Sequence, residues 1–274
     1  MRRLALLPVA LACTLALASP AGETPKPVAF FAEARVEIDA DGKVVKVEAA
    51  QDLPVAIRTY IEQKLKTWQY ARRHREGETG NAATWVSLGA CAVPTDKGGY
   101  TMGLAYHGNG PRIAGGGRWQ VTSGLANAVG KSGFEGDATV HFLVNADGTT
   151  KVESVEGLDD MRARKLILPE VESWLERMRF DPEEIGGRPV ATRETVPLRF
   201  KQGGRHESRE DTEARLKAEA MQSPQCKLAA AAGQLVGPGL SAVAVDSVMD
   251  IVPSISRLEG PAVKLTTPLA GTVL

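Results

Sequence analysis

Residues 179–200 read RFDPEEIGGRPVATRETVPLRF. Gly186-Gly187 marks a turn, because glycine reaches positive φ at little cost, and the paired acids Glu183-Glu184 suit that same turn. Thr192–Phe200 then has the β-branched and apolar content of a strand. Just upstream, Val171, Trp174, Leu175 and Met178 recur at i, i+3, i+4 and i+7. That spacing predicts a helix, with Pro169 tolerated near its start. The helix leads into a short aromatic segment, Met178-Arg179-Phe180. Further upstream, residues 138–153 read ATVHFLVNADGTTKVE. Val140, Phe142 and Val144 face one way, His141, Leu143 and Asn145 the other, and Asp147-Gly148 turns the chain into a second strand.

The same order occurs earlier. ARVEIDADGKVVKVEA, residues 34–49, carries Asp41-Gly42 where the later copy has Asp147-Gly148. Asp52 and Leu53-Pro54 precede a helix whose stripe is Ile57, Ile61, Leu65 and Trp68. Trp68-Gln69-Tyr70 follows, and a last strand is expected near Ala83–Cys91. Strand, strand, helix, strand, strand, read twice, predicts an α+β fold of two small modules, each an antiparallel sheet packed on one helix.

The later copy resembles the TonB C-terminal domain family. Phe180, Pro182, Gly187, Pro189-Val190, Val196-Pro197 and Phe200 fit that family's closing pattern, and Val144–Gly148 fits its hairpin. The match is good over about 120–201 and weaker over about 28–94. Two positions depart from the pattern: Arg118-Trp119-Gln120-Val121 stands where the family has a Tyr-Pro pair, and Tyr70–His74 lacks the aromatic-x-Pro element. The resemblance implies a domain that takes a short extended peptide of an outer-membrane transporter onto a sheet edge. A small open sheet supports this physically, since its edge leaves N–H and C=O groups for an added strand. The candidate edge is Arg193–Phe200, with Arg193, Glu194, Thr195, Arg199 and Phe200 as partner-binding residues. Backbone bonds would supply affinity, and side chains such as Arg193, Glu194 and Arg199 selectivity. The competing reading is an edge protected by Pro197 or by the C-terminal extension.

The N-terminus reads as an export signal. Arg2 and Arg3 precede the uncharged run Leu4–Ala18, and Ala16-Leu17-Ala18 offers a cleavage site before Ser19. The run is shorter than the ~20 apolar residues of a spanning helix, which favours cleavage over an anchor. Lipidation of Cys13 is a poorer fit, because Ala10 rather than Leu stands three residues before it. Even fully extended, residues 22–34 reach only ~40 Å, so the chain alone is not expected to act as an energy transducer across the periplasm. Cleavage leaves Cys91 and Cys226, and an even pair in an oxidising compartment predicts a disulfide. The expected location is periplasmic or secreted, or membrane-anchored if the N-terminal segment stays.

Across 274 residues, Lys plus Arg and Asp plus Glu balance at 33 each, and removing Arg2 and Arg3 shifts the charge from zero to −2. Such a balance argues against a nucleic-acid partner. Aromatics are only 5%, so the cores should be built mainly from aliphatic residues. His74, His107, His141 and His206 are scattered, with no H-E-x-x-H and no G-x-S-x-G. No catalytic residue, metal or cofactor is expected, and Asp159-Asp160 suits a helix start. The expected boundaries are a signal over 1–18, a divergent TonB-like module over 28–107, a Gly-rich linker over 108–136 and a TonB-like domain over 137–201. A charged helix (205–221) and an extension complete 205–274, with a possible strand at Leu240–Val252. The expected function is a non-catalytic interaction module linked to TonB-dependent transport, with envelope proteins, including outer-membrane transporters, as partners. The alternatives are a structural or inhibitory envelope protein without transporter binding, or an anchored TonB-type energy transducer if the N-terminal segment is not cleaved.

Overall fold

The computed structural model describes residues 27–72, 79–95, 100–116, 119, 121–200, 218, 222–223, 226–227, 229, 235–236 and 262–266. Residues 1–26, with Cys13, Ala18 and Ser19, lie outside them, as do nearly all of 205–221 and the whole of 240–252. Among the described residues the fold is mixed α+β with three α-helices, and every strand pairing is antiparallel.

β1 (Val28–Ile38) and β2 (Val44–Ala49) form the first hairpin. Asp39 closes it: its Oδ1 accepts from the Asp41 and Lys43 amides at 3.0 and 2.9 Å. β1 also pairs along its whole length with β4 (Ala82–Pro94), from Val28↔Ala92 to Ile38↔Ala82. Ala32, Ala34, Val36 and Ile38 therefore share one buried face, against which α1 (Val55–Leu65) sets Ile57, Ile61 and Leu65. β5 (Tyr100–Gly110) continues the sheet beyond β4, and β4 itself is tied to the extension by the Cys91–Cys226 disulfide, with Cα atoms 5.0 Å apart. Replacing both cysteines by serine should lower stability by about 3 kcal/mol, the middle of the range for native disulfides. Urea unfolding of the non-reduced protein measures it, and a loss under about 1 kcal/mol would refute a structural role.

The second sheet has the order β12-β7-β8, from β7 (Gly136–Val144), β8 (Thr150–Glu156) and β12 (Thr192–Phe200). Val140, Phe142, Val144, Val196 and Leu198 pack against Ile167, Val171 and Leu175 of α3 (Met161–Glu176). The first core is largely aliphatic, as the composition suggested. The second gathers rings instead: Trp119 meets Phe142, Trp174 and Phe180 at centroid distances of 5.4–6.3 Å.

Three local expectations need correcting. Pro169 lies in the middle of α3, not near its start. The helix begins at Met161, where Asp160 Oδ1 accepts from the Ala163 amide at 2.7 Å. The buried stripe Ala163, Ile167, Val171 and Trp174 runs through the proline, and that burial offsets its missing donor. Second, Glu183-Glu184 is not a turn. Both lie in β10 (Glu183–Ile185), which pairs with β11 (Arg188–Val190), and Gly186-Gly187, with φ of 58° and 73°, makes the turn alone. Third, the segment 108–136 is not simply a linker. It carries α2 (Ser123–Ser132), capped by Thr122 and ended by Gly133 at φ 72°, with Leu125 and Ala128 buried in the second core. Gly124 and Gly130 depress helix propensity there, and tertiary burial overrides it.

The two sheets are not independent. β10 adds onto β4 through Glu184↔Ala83 and Ile185↔Ala82, so a hairpin from the second half extends the first sheet. β6 (Arg112–Ile113) in turn pairs with β9 (Phe180–Asp181).

Candidate functional site

β12 ends its sheet, and among the described residues only β7 pairs with it, from Thr192↔Val144 to Phe200↔Gly136. Pro197 explains which backbone groups face where. Proline has no N–H, so it fits inside a paired strand only where its nitrogen points away from the neighbour. In an antiparallel strand the N–H and C=O of one residue point to the same side and alternate along the chain. Thr195, Pro197 and Arg199 thus direct their backbone groups outward, whereas Thr192, Val196 and Leu198 pair with β7. The outer rim keeps its carbonyls and lacks one donor at Pro197.

The side chains fall into two sets. Glu194 and Phe200 share the parity of Val196 and Leu198 and are buried, and the Phe200 ring meets Phe134 at 5.8 Å. A strand laid alongside β12 would meet neither first. The other set lies on the opposite face. Arg193 Nε donates to both Glu153 oxygens at 3.2 and 3.0 Å, and Arg199 Nε to Asp137 Oδ1 at 2.7 Å. Thr195 Oγ1 lies 3.0 Å from His141 Nδ1, and His141 Nε2 is 3.5 Å from Glu156. Thr195 is 4% exposed although it faces away from α3, so this face is covered at the centre of the strand.

A second cluster was missed in the sequence. Glu183 is fully buried where β4, β10 and β12 converge with β14 (Val263–Leu265). Its Oε1 accepts from the Thr84 hydroxyl at 2.6 Å; its Oε2 accepts from the Thr192 hydroxyl at 3.0 Å and the Ala262 amide at 2.7 Å. Asn109 Nδ2 donates to Thr84 Oγ1 at 3.1 Å and to the Val263 carbonyl at 2.9 Å, and the Tyr106 hydroxyl donates to Asn109 Oδ1. One signal was legible: Glu183 alternates with Ile185, placing a carboxylate on an inward strand position.

Arg112 ties the halves together. Its guanidinium carbon sits 3.4 Å over the Trp85 ring, Nε donates to Asp181 Oδ2 at 2.8 Å, and Glu33 Oε2 lies 4.0 Å away. Burial raises the Glu33 pKa above the usual carboxylate value, and Arg112 only partly opposes this. Only between the ordinary value and the raised one does the native state hold a proton that the unfolded chain has released. Stability should fall as pH rises from the ordinary Glu range through the raised native value. Glu33→Gln is expected to flatten that part of the stability–pH curve, and parallel curves for both proteins would contradict it.

A shallow cleft of about 310 Å³ is lined by Arg35, Glu37, Asn81, Ala83, Glu184 and Gly187. Its polar groups answer one another, Arg35 to Glu184 at 2.8 Å and Asn81 to Glu37 at 2.9 Å. Among the described residues no group of three His, Cys, Asp or Glu is placed to hold a metal, and no helix is long and apolar enough to cross a membrane. No family model, curated protein or solved structure matches this chain.

Proposed function

We propose that this chain is an exported, non-catalytic interaction protein built from two TonB C-terminal-like modules, linked to TonB-dependent transport across the envelope. Its second module accepts an extended partner segment as a new strand on β12. The observation that carries the reading is Pro197 inside an unbroken nine-residue register with β7, which turns the backbone of Thr195 and Arg199 toward the rim. The two-module reading is supported by a shared detail. The Tyr70 amide donates to Gly42 O and the Phe180 amide to Gly148 O, both at 2.9 Å, so each Asp-Gly turn docks on the strand after its helix. Export is supported by the disulfide, which persists in oxidising compartments.

The test is a pull-down from solubilised outer membranes with the mature protein, repeated with Arg199→Pro and Arg199→Ala, at the exposed outward-facing position of β12. Arg199→Pro removes an outward N–H on the same parity as Pro197, and should weaken capture of a transporter about tenfold, the worth of one well-made hydrogen bond. Arg199→Ala loses the Asp137 contact but keeps the N–H and should weaken capture less. Recovery of no transporter or envelope protein would overturn the reading.

One observation favours the alternative of a structural or inhibitory envelope protein. The C-terminal extension already adds strands to this chain's own sheets: β13 (Leu235–Val236) on β5, and β14 on β3 (Tyr70–Arg72). Recovery of envelope proteins without any transporter favours it. The anchored-transducer reading predicts retention of residues 1–18, and a mature chain starting at Ser19 removes it.

A further inference from the structure

The segment Ala262–Thr266 is held in a way that differs from the rest of the core. β3 and β14 form a two-stranded ladder of their own, with Val263↔Arg72, Lys264↔Ala71 and Leu265↔Tyr70. Beyond the ladder, nearly every polar contact of the segment is made by its backbone. The Ala262 amide donates to Glu183, the Val263 carbonyl accepts from Asn109, and the Thr266 amide donates to Gln69 O at 2.9 Å. The Thr266 hydroxyl adds one side-chain bond to the same carbonyl at 3.0 Å. The receiving groups are positioned by partners outside the segment. Thr84 and Thr192 fix the Glu183 carboxylate, and Thr84 and Tyr106 fix the Asn109 amide.

The segment thus seats its backbone on side chains fixed elsewhere in the fold. Successive residues of a strand point to opposite faces, yet Ala262 and Val263 are both fully buried, so the segment enters a crevice rather than lying on a surface. Lys264 is exposed and Leu265 half-buried. The pattern read by the site is a small residue, then Val, an unconstrained position, an apolar residue and a hydroxyl residue. A carboxylate aimed at a backbone N–H makes a charge-assisted bond that any non-proline segment can supply.

We infer that β3, Glu183 and Asn109 form a second strand-addition site, filled by this chain's own Ala262–Thr266. An extended segment of a partner protein with the pattern small–Val–any–apolar–Ser/Thr displaces it. The site differs from the β12 rim in its strand, residues and occupant, so failure of either leaves the other standing. Strand addition of this kind gives affinity through backbone bonds and selectivity through alternate side chains. The tethered copy acts as an intramolecular competitor that sets the threshold for a partner.

The experiment uses the full chain with a protease recognition sequence inserted within residues 240–255. Cys226 stays with the larger fragment, so cleavage frees only the piece that carries residues 262–266. The probe is a fluorescently labelled synthetic peptide of residues 261–268, PAVKLTTP. After cleavage the labelled peptide is expected to bind and exchange with the cut piece, while the uncut chain binds it at least about tenfold more weakly because the tethered copy competes. A peptide carrying Ala262→Pro lacks the N–H that meets Glu183 and should bind at least about tenfold more weakly to the cleaved protein. Failure of the labelled peptide to enter the cleaved protein overturns the inference, as does equal binding of the proline peptide. Loss of the near-ultraviolet circular dichroism on cleavage overturns it too, because a displaceable ligand leaves its receptor folded.

Discussion

Glu183→Ala is expected to destabilise the protein by about 4 kcal/mol. The side chain is fully buried and receives three donors, from Thr84, Thr192 and the Ala262 amide. Leaving one buried donor without an acceptor costs about 1–3 kcal/mol. The two hydroxyls recover part of this by rotating, but the Ala262 amide has no such freedom. Glu183→Gln keeps the volume and one acceptor oxygen, yet turns an NH2 toward a position already held by a donor. About half the loss is expected for it. Urea unfolding followed by tryptophan fluorescence reads both, since Trp68 and Trp174 sit in the two cores. A Glu183→Ala loss below about 1 kcal/mol would mean that the carboxylate does not join the strands as described.

Gly42→Ala should cost about 3–5 kcal/mol, and Gly148→Ala a similar amount. Both glycines have φ near 80°, where a side chain costs about 1–2 kcal/mol by itself. Space makes the larger demand. A Cβ on Gly42 would overlap the Tyr70 carbonyl oxygen, and one on Gly148 the Phe180 carbonyl oxygen. These are backbone atoms, so relief requires the turn to lift off the strand after the helix and to break the Tyr70 or Phe180 amide bond to the glycine carbonyl. Gly187→Ala is the control. Its φ is 73° but nothing lies within 4 Å of the added Cβ, so only the conformational cost of about 1–2 kcal/mol is expected. Equal losses at Gly42 and Gly187 would show that close approach to the following strand contributes nothing.

Those glycines mark how far the sequence could be read. Asp41-Gly42 and Asp147-Gly148 identify turns because positive φ is a local demand with a local solution. The stripe Ile57, Ile61 and Leu65 identifies α1 for the same reason, its period being a property of consecutive residues. The candidate rim at Arg193–Phe200 was legible as a strand, and Pro197 indicates which of its backbone groups face outward. Which side chains a partner meets was not legible. Glu194 turns inward with Val196, and Arg193 and Arg199 are engaged by Glu153 and Asp137, residues 40 and 62 positions away.

The sequence by itself determined the hairpins, the helix stripes and the final strands, because side-chain period and turn chemistry are carried by the residues concerned. Only the tertiary structure decided that β10 crosses to the first sheet, that α2 forms despite Gly124 and Gly130 within it, and that residues 262–266 enter a crevice beside β3. Those contacts are made by backbone atoms, which every residue has, or by a buried carboxylate whose donors sit 9 to 99 positions away. Pairing of that kind leaves no period in the chain, so it is settled only when the strands meet.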